Sequence, residues 1–290
     1  MNRIRYYCKN VQKNVSFKNL TSIKTGGKAK RVAFPNSESE LKNLIAYLNK
    51  KKIKYYVLGN GSNTLACDGK YKGVIIKLSG FNSLYRHKNF IHAGSGCSLA
   101  NLIKFAITNS LAGLEDASGI PGTVGGAVKM NAGAFNFETS KVVKGVYVFR
   151  EGNIVYLKNK ECKFGYRASG FLDDDIIISA DFKLSGGDQK ELLKRQQEVL
   201  ALRKSLPKYP SLGSVFKRQE GVIVSKLLDE MKFKGVTFGG AMVSKEHAGI
   251  IVNVGDATSE DVKDLINYIK KRCFLEKNIV LEEEIKFLDN

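Results

Sequence analysis

With 290 residues, 43% of them hydrophobic, the chain is long enough to bury a full core and to divide into two domains or three small ones. No apolar run approaches the roughly 20 residues that cross a bilayer, and Met1–Lys9 places no apolar segment behind its positive charges, so neither a membrane partner nor a secretory signal is expected and the expected compartment is the cytoplasm. The net charge of +19 comes from dispersed lysines that are not interleaved with stacking aromatics, which disfavours a nucleic-acid partner.

Cys8, Cys67, Cys97, Cys162 and Cys273 are odd in number and scattered, without a Cys-x-x-Cys pair, so reduced thiols are expected and no metal site. In chain order, Leu20–Gly27 ends in a turn and Lys30–Phe34 alternates like a short strand before Pro35. Ser37 and Glu40 form a capping-box pattern ahead of Leu41, Leu44, Ile45 and Leu48, which share one helical face. Tyr55–Leu58 reads as a strand feeding the glycine-rich turn Gly59–Thr64, and Gly73–Leu78 as the next strand. A second unit opens at Phe90–Gly96, where Ser98 caps a helix carrying Leu99, Leu102, Ile103 and Ala106 on one face. Its Gly94-Ser95-Gly96 fails as a dinucleotide fingerprint, because the third glycine would fall at Leu99.

Gly119–Ala134 follows, with Gly119, Gly122, Gly125, Gly126 and Gly133 among small residues. Such backbone can approach an anionic ligand with its N–H groups outward, though taken alone it equally suits a tight turn. Together with Gly59–Thr64 it makes two phosphate-type loops, which suggests a dinucleotide. Lys144–Phe149, Ile154–Leu157 and Ile176–Leu184 read as strands, Ser185–Asp188 as a domain boundary, and Gln189–Lys204 as a helix. Beyond lie Tyr209–Phe216, a turn at Gly239-Gly240, a helix over Ser259–Glu276 and a closing strand over Ile279–Leu288.

Leu58–Asn63, Gly113-Leu114-Glu115, Gly119–Val128 with Asn131–Ala134, Gly165-Tyr166-Arg167, Gly213–Phe216 and His247–Asn253 occur in the order found in UDP-N-acetylenolpyruvoylglucosamine reductases, and the chain resembles that family from end to end. The short stretch from Phe135 to Arg167 resembles its compact type. The resemblance implies an α+β fold, with a two-lobed FAD-binding domain of the vanillyl-alcohol-oxidase (PCMH) type in residues 1–80 and 81–187. A smaller α+β substrate-binding domain would occupy residues 188–290. It implies bound FAD, electrons from NADPH, and reduction of UDP-N-acetylglucosamine enolpyruvate to UDP-N-acetylmuramate by a cytoplasmic monomer. The alternatives are a different FAD-dependent oxidase or dehydrogenase of the same fold and, more remotely, a basic nucleic-acid-binding protein.

Carried over by position, Gly59, Asn60, Gly61, Ser62, Asn63 and Thr64 would cradle the flavin and its pyrophosphate, together with Gly119, Ile120, Pro121, Gly122, Thr123, Gly125, Gly126, Asn131, Ala132 and Gly133. Arg167 matches the arginine that holds the substrate carboxylate, and Ser214 the serine that protonates the enolate carbon. Glu284 matches the functional glutamate of a Leu-Glu-Pro-Glu-Val-like strand, with Glu283 where proline is common; strand alternation leaves open which carboxylate faces inward. Ser214 lacks the Gly-x-Ser-x-Gly setting of a hydrolase nucleophile, since Leu212 and Phe216 flank it. His247 reads as structural. Arg218-Gln219 replaces a common Asn-Pro, so Lys217, Arg218 and Arg203 become candidates for the UDP phosphates.

Overall fold

The structure, a computed structural model, describes residues 3–135 and 137–290. The expected absence of a leader over Met1–Lys9 touches residues 1 and 2, which lie outside the described residues; Arg3–Tyr7 is a short helix. The chain forms two compact units, the first of Met1–Gln12, Val32–Asn60 and Val74–Lys204, the second of Lys13–Arg31, Gly61–Gly73 and Ser205–Asn290. Three of its passages from one to the other fall within strands, Val11–Ser16, Lys28–Ala33 and Lys70–Ile76, and the others follow Asn60 and Lys204.

In the first unit, helix Glu38–Lys50 starts where Ser37 Oγ accepts from Glu40 N at 3.2 Å. The Glu40 carboxylate reaches back to Asn36 N at 2.9 Å, one residue earlier than the capping-box pattern gives. Leu41, Leu44, Ile45 and Leu48 bury that helix against Val74, Ile76 and Leu78. Tyr55–Val57 pairs in parallel with the second half of Lys70–Ile76.

A five-stranded antiparallel sheet follows, in the order Asn153–Lys158, Val143–Arg150, Ile176–Lys183, Phe90–Gly94, Leu84–His87. Its two faces serve two cores. Ile176, Ile178 and Phe149 pack with Leu41 and Leu44, whereas Ile177, Ala180 and Phe182 pack with Leu99, Leu102 and Val124. Strict alternation could not send both Ile178 and Ala180 to opposite sides. The register supplies the reason: Tyr147 faces Ser179 and Val148 faces Ile177, so Ile178 is an extra residue, a β-bulge.

The boundary expected at Ser185–Asp188 does not divide the chain. Asp188 caps helix Gln189–Leu202 through Lys190 N and Glu191 N, and that helix stays with the first unit. Leu192 joins the core of Leu102 and Leu114, Arg195 Nε donates to Asp116 at 2.7 Å, and Gln196 Nε2 to Ser118 at 3.4 Å. These contacts carry the first unit on to Lys204, past the residue at which the substrate-binding domain was expected to begin.

The second unit has a four-stranded sheet in the order Ser211–Ser214, Ile250–Asn253, Ala241–Val243, Thr237–Phe238. Helix Ser259–Lys277 packs Val262, Leu265, Ile266, Ile269 and Cys273 on it. Thr258 and Asp261 form a capping box, and Asp68 adds a second cap by accepting from Ser259 N at 2.8 Å and Glu260 N at 2.9 Å. The expected closing strand Ile279–Leu288 shrinks to Lys286–Leu288, which pairs in parallel with Thr64–Ala66. Before it the backbone bonds to Val215–Lys217: Lys217 N donates to Glu282 O at 2.9 Å and Glu284 N to Val215 O at 2.7 Å. Among the described residues no helix is long and apolar enough to cross a membrane, and no group of three His, Cys, Asp or Glu side chains could hold a metal ion.

Asp175 closes the segment that leads into Ile176–Lys183. Burial alone would raise its pKa, but the paired bonds from Arg150 Nε (2.8 Å) and Nη2 (2.7 Å) and the Leu172 N–H (2.7 Å) outweigh that and hold it below the usual range. Its folded pKa lies under its unfolded value of about 3.9, so its contribution is complete above that pH and is lost as pH falls through the folded value. Asp175→Asn should cost about 2–3 kcal/mol in urea unfolding at neutral pH and shrink the loss of stability on acidification.

Candidate active site

In the first unit the start of the first glycine-rich loop, Gly59-Asn60, meets the second. Asn60 Nδ2 donates to Gly122 O at 3.3 Å, and a Cβ on Gly59 would sit 2.8 Å from Thr123 Oγ1. The second loop is pinned from below by the Ser95–Leu99 turn: Gly125 N donates to Ser95 O, Val124 N to Cys97 O, and Leu99 N to Gly122 O, at 2.9–3.1 Å. Ser95 N in turn donates to the carbonyl of the bulged Ile178 at 2.8 Å. Thr123 caps the turn of helix Val124–Lys129 through Gly126 N. Gly125 must lack a side chain, since a Cβ there would stand 2.9 Å from Ser95 Cβ.

Polar groups around this loop are buried without protein partners. Ser95 Oγ and the Nε and Nη2 atoms of Arg203 have none. Arg203 lies in the first unit, apart from Lys217 and Arg218, with which the sequence grouped it. A Cβ on Gly119 would meet its Cδ at 2.4 Å, and its guanidinium stands 5.4 Å from the Phe135 ring. Burial pushes its pKa down. A further cation escaped the sequence reading: Lys77, at the end of Lys70–Ile76, donates its ammonium to Gly59 O, and burial lowers its pKa as well. A lone lysine after a strand gave no signal; Ser95 did, inside the rejected Gly94-Ser95-Gly96.

Asn131, expected to contact the cofactor, spends its buried amide on the protein. Its Nδ2 donates to Gly165 O and its Oδ1 accepts from Ser140 N, both at 2.9 Å. It thereby fastens the glycine loop to the Gly165-Tyr166-Arg167 turn. Arg167, in the left-handed region at φ 52°, donates Nη2 to Gly133 O at 2.6 Å, and its guanidinium lies 5.1 Å from the Tyr166 ring. Asn131, Gly133 and Arg167 are thus one connected assembly.

Ser214 and Glu284 belong to the second unit. Ser214 pairs with Ile250 and Ser211 with Val252, so strand Ser211–Ser214 carries one extra residue. Gly213 absorbs it at φ +73°, a left-handed position that any side chain would strain, and the bulge turns Ser214 into an exposed position. Beside it, Glu284 is half-buried with its backbone fixed on both sides, its N–H on Val215 O and its carbonyl accepting from Asn63 Nδ2 at 3.1 Å. Asn63 therefore serves the glutamate segment with its side chain. The neighbouring carboxylates are spoken for: Glu283 pairs with Lys270 at 2.7 Å, and Glu282 with Lys217, whose bond lowers the Glu282 pKa. Lys217 is in this way neutralised within the protein, whereas Arg218 is exposed. His247 accepts from Gly249 N at its Nδ1, and burial lowers its pKa, which fits a neutral structural side chain.

A profile described as the FAD binding domain matches residues 29–157, and one described as the C-terminal domain of UDP-N-acetylenolpyruvoylglucosamine reductase matches residues 205–288. The latter begins where the second unit takes up the chain for the last time. UDP-N-acetylenolpyruvoylglucosamine reductase of Caldanaerobacter subterraneus subsp. tengcongensis is 42% identical over 95% of this chain and 92% of its own length. That of Lactiplantibacillus plantarum is 41% identical over 96% of this chain and 93% of its own. The crystal structure of the reductase from Thermus caldophilus superimposes with a TM-score of 0.84 at 35% identity, covering 97% of this chain and 98% of that one. A 6-hydroxy-D-nicotine oxidase from Arthrobacter nicotinovorans shares the fold at TM-score 0.51 and 17% identity over 61% of this chain and 42% of that one. With both domains matched and the relatives aligned nearly end to end, the chain belongs to the UDP-N-acetylenolpyruvoylglucosamine reductase family.

Proposed function

We propose that the protein reduces UDP-N-acetylglucosamine enolpyruvate to UDP-N-acetylmuramate for peptidoglycan synthesis, taking electrons from NADPH through FAD. It would act as a cytoplasmic monomer that engages neither membrane nor nucleic acid. The observation that carries this reading is the presentation of Ser214 by the Gly213 bulge, with Glu284 anchored on the adjoining backbone, in the domain matched by the reductase profile.

The residues of the first unit fit FAD. Gly59, Gly119 and Gly125 sit where a Cβ would collide, so the loop backbone is bare. Around it lie buried donors that find no acceptor in the protein, Arg203 Nε and Nη2 and Ser95 Oγ. A bulky anionic cofactor supplies both the volume and the missing acceptors. When bound, FAD supplies the two-electron chemistry, taking a hydride from NADPH and delivering it to the vinyl carbon of the substrate.

Hydride addition leaves negative charge on the adjacent carbon and its carboxylate. Arg167 holds that carboxylate with its planar guanidinium, which stays charged throughout and can form two parallel bonds. Glu284 is proposed to help hold the enolate-like group. Ser214 Oγ–H gives its proton to the carbon and recovers one from water, which completes the reduction. Asn131 acts one step removed, by holding the turn that carries Arg167. Lys217 and Arg218 are proposed to approach the UDP phosphates, Lys217 by exchanging its Glu282 partner for phosphate oxygens.

Anaerobic NADPH should bleach the yellow flavin absorption, and UDP-N-acetylglucosamine enolpyruvate should restore it; restoration by oxygen alone would favour an oxidase. Ser214→Ala should keep the bleaching rate and slow the restoration by about 10²–10⁴-fold, and equal loss in both steps would refute the serine's role. Arg167→Lys should behave likewise, since a point charge cannot replace the fork. Asn131→Asp sets a carboxylate oxygen against Gly165 O; FAD affinity should persist while restoration slows, with about 1–3 kcal/mol lost in chemical unfolding.

A further inference from the structure

Arg203 follows directly on helix Gln189–Leu202, and its stem lies against Gly119, which opens the second glycine loop. Gly119 has φ +78°, so the close approach needs glycine for both its backbone and its missing Cβ. The guanidinium is over the face of Phe135, and Nε and Nη2 are sealed from solvent with no hydrogen-bond partner. Leaving two buried guanidinium donors without acceptors is costly, because their lost hydration is not replaced. The aromatic face offsets only part of that cost. Such an arrangement is sensible in a protein whose ligand brings the anion.

Two ligand groups of the proposed reaction carry a diphosphate, the cofactor and the sugar nucleotide. The surroundings of Arg203 select the first. The loop that it touches is bonded to the Ser95–Leu99 turn and to Asn60, and the second buried orphan, Ser95 Oγ, lies under the same loop at Gly125. All of these belong to the first unit, within which the FAD binding profile falls for most of its length, whereas Ser214, Lys217, Arg218 and Glu284 are in the second.

We infer that Arg203 is the counter-ion of the FAD diphosphate, rather than a contact for the UDP phosphates of the substrate. The inference rests on the flavin reading above. It makes the arginine a cofactor-binding residue whose Nε and Nη2, without a protein acceptor, oppose folding and favour uptake of FAD.

Equilibrium binding of FAD and of riboflavin, which lacks the diphosphate, to apoprotein tests it, read by flavin fluorescence for the wild type, Arg203→Met and Arg203→Lys. Arg203→Met should weaken FAD binding by about 10–100-fold, the size of losing one or two charge-assisted bonds, leave riboflavin binding unchanged, and leave the melting temperature of the apoprotein equal or higher. Arg203→Lys, which keeps charge without the fork, should fall between. If Arg203→Met does not fold, the ratio of FAD to riboflavin affinity in Arg203→Lys decides by itself. Equal weakening of FAD and riboflavin would overturn the inference, as would unchanged FAD affinity with a raised KM for the sugar nucleotide. Wild-type apoprotein that takes up no FAD would overturn the flavin reading itself, a result distinct from an unchanged variant.

Discussion

The three backbone bonds between the Ser95–Leu99 turn and Gly122–Gly125 are the constraint on which the first unit's site depends. A glycine-rich segment has more conformational freedom to lose than any other, and left alone it would not hold one shape. Here its freedom is removed by backbone rather than by side chains, which leaves its outer surface bare. The turn that does this is itself set by the bulge at Ile178, whose carbonyl receives Ser95 N. One extra residue in a strand therefore determines where two cores divide and where the loop sits.

The same logic recurs in the second unit on a smaller scale. The extra residue at Gly213 turns Ser214 outward, and main-chain bonds to Val215 O and from Asn63 Nδ2 fix the backbone of Glu284 on both sides. Glu282 and Glu283 pair with Lys217 and Lys270.

Local rules were sufficient for the longer helices. Ser37 and Ser98 cap as their sequence context indicates, and the apolar faces of Glu38–Lys50 and Leu99–Thr108 are buried as their spacing requires. What local rules could not reach were facts decided by distant residues. Ser185–Asp188 reads as a boundary because a turn and a helix cap look the same whether or not the helix packs back; Leu192 and Arg195 make it pack back. Ile279–Leu288 alternates well enough for a strand, yet only Lys286–Leu288 has a strand partner in Thr64–Ala66. For the candidate site, motif matching proposed Arg167, Ser214 and the glycine loops and passed over Lys77, a residue without a motif. It also could not see that the amides of Asn131 and Asn63 are committed to Gly165 and Glu284.

The interleaving of the two units along the chain has a consequence for how the protein is made. The second unit needs Ile23 and Leu65 in its core, Asp68 to cap its long helix, and Thr64–Ala66 to pair with its last strand. Those residues leave the ribosome first, and their partners last. Neither unit is a continuous stretch that could fold as it emerges, so the early segments must remain unpaired until about the whole chain is available. Residues 205–288, although a family domain by sequence, cut out alone would expose an apolar floor where Ile23 and Leu65 belong, which makes synthesis, rather than the finished fold, the stage at which this protein is most exposed to aggregation.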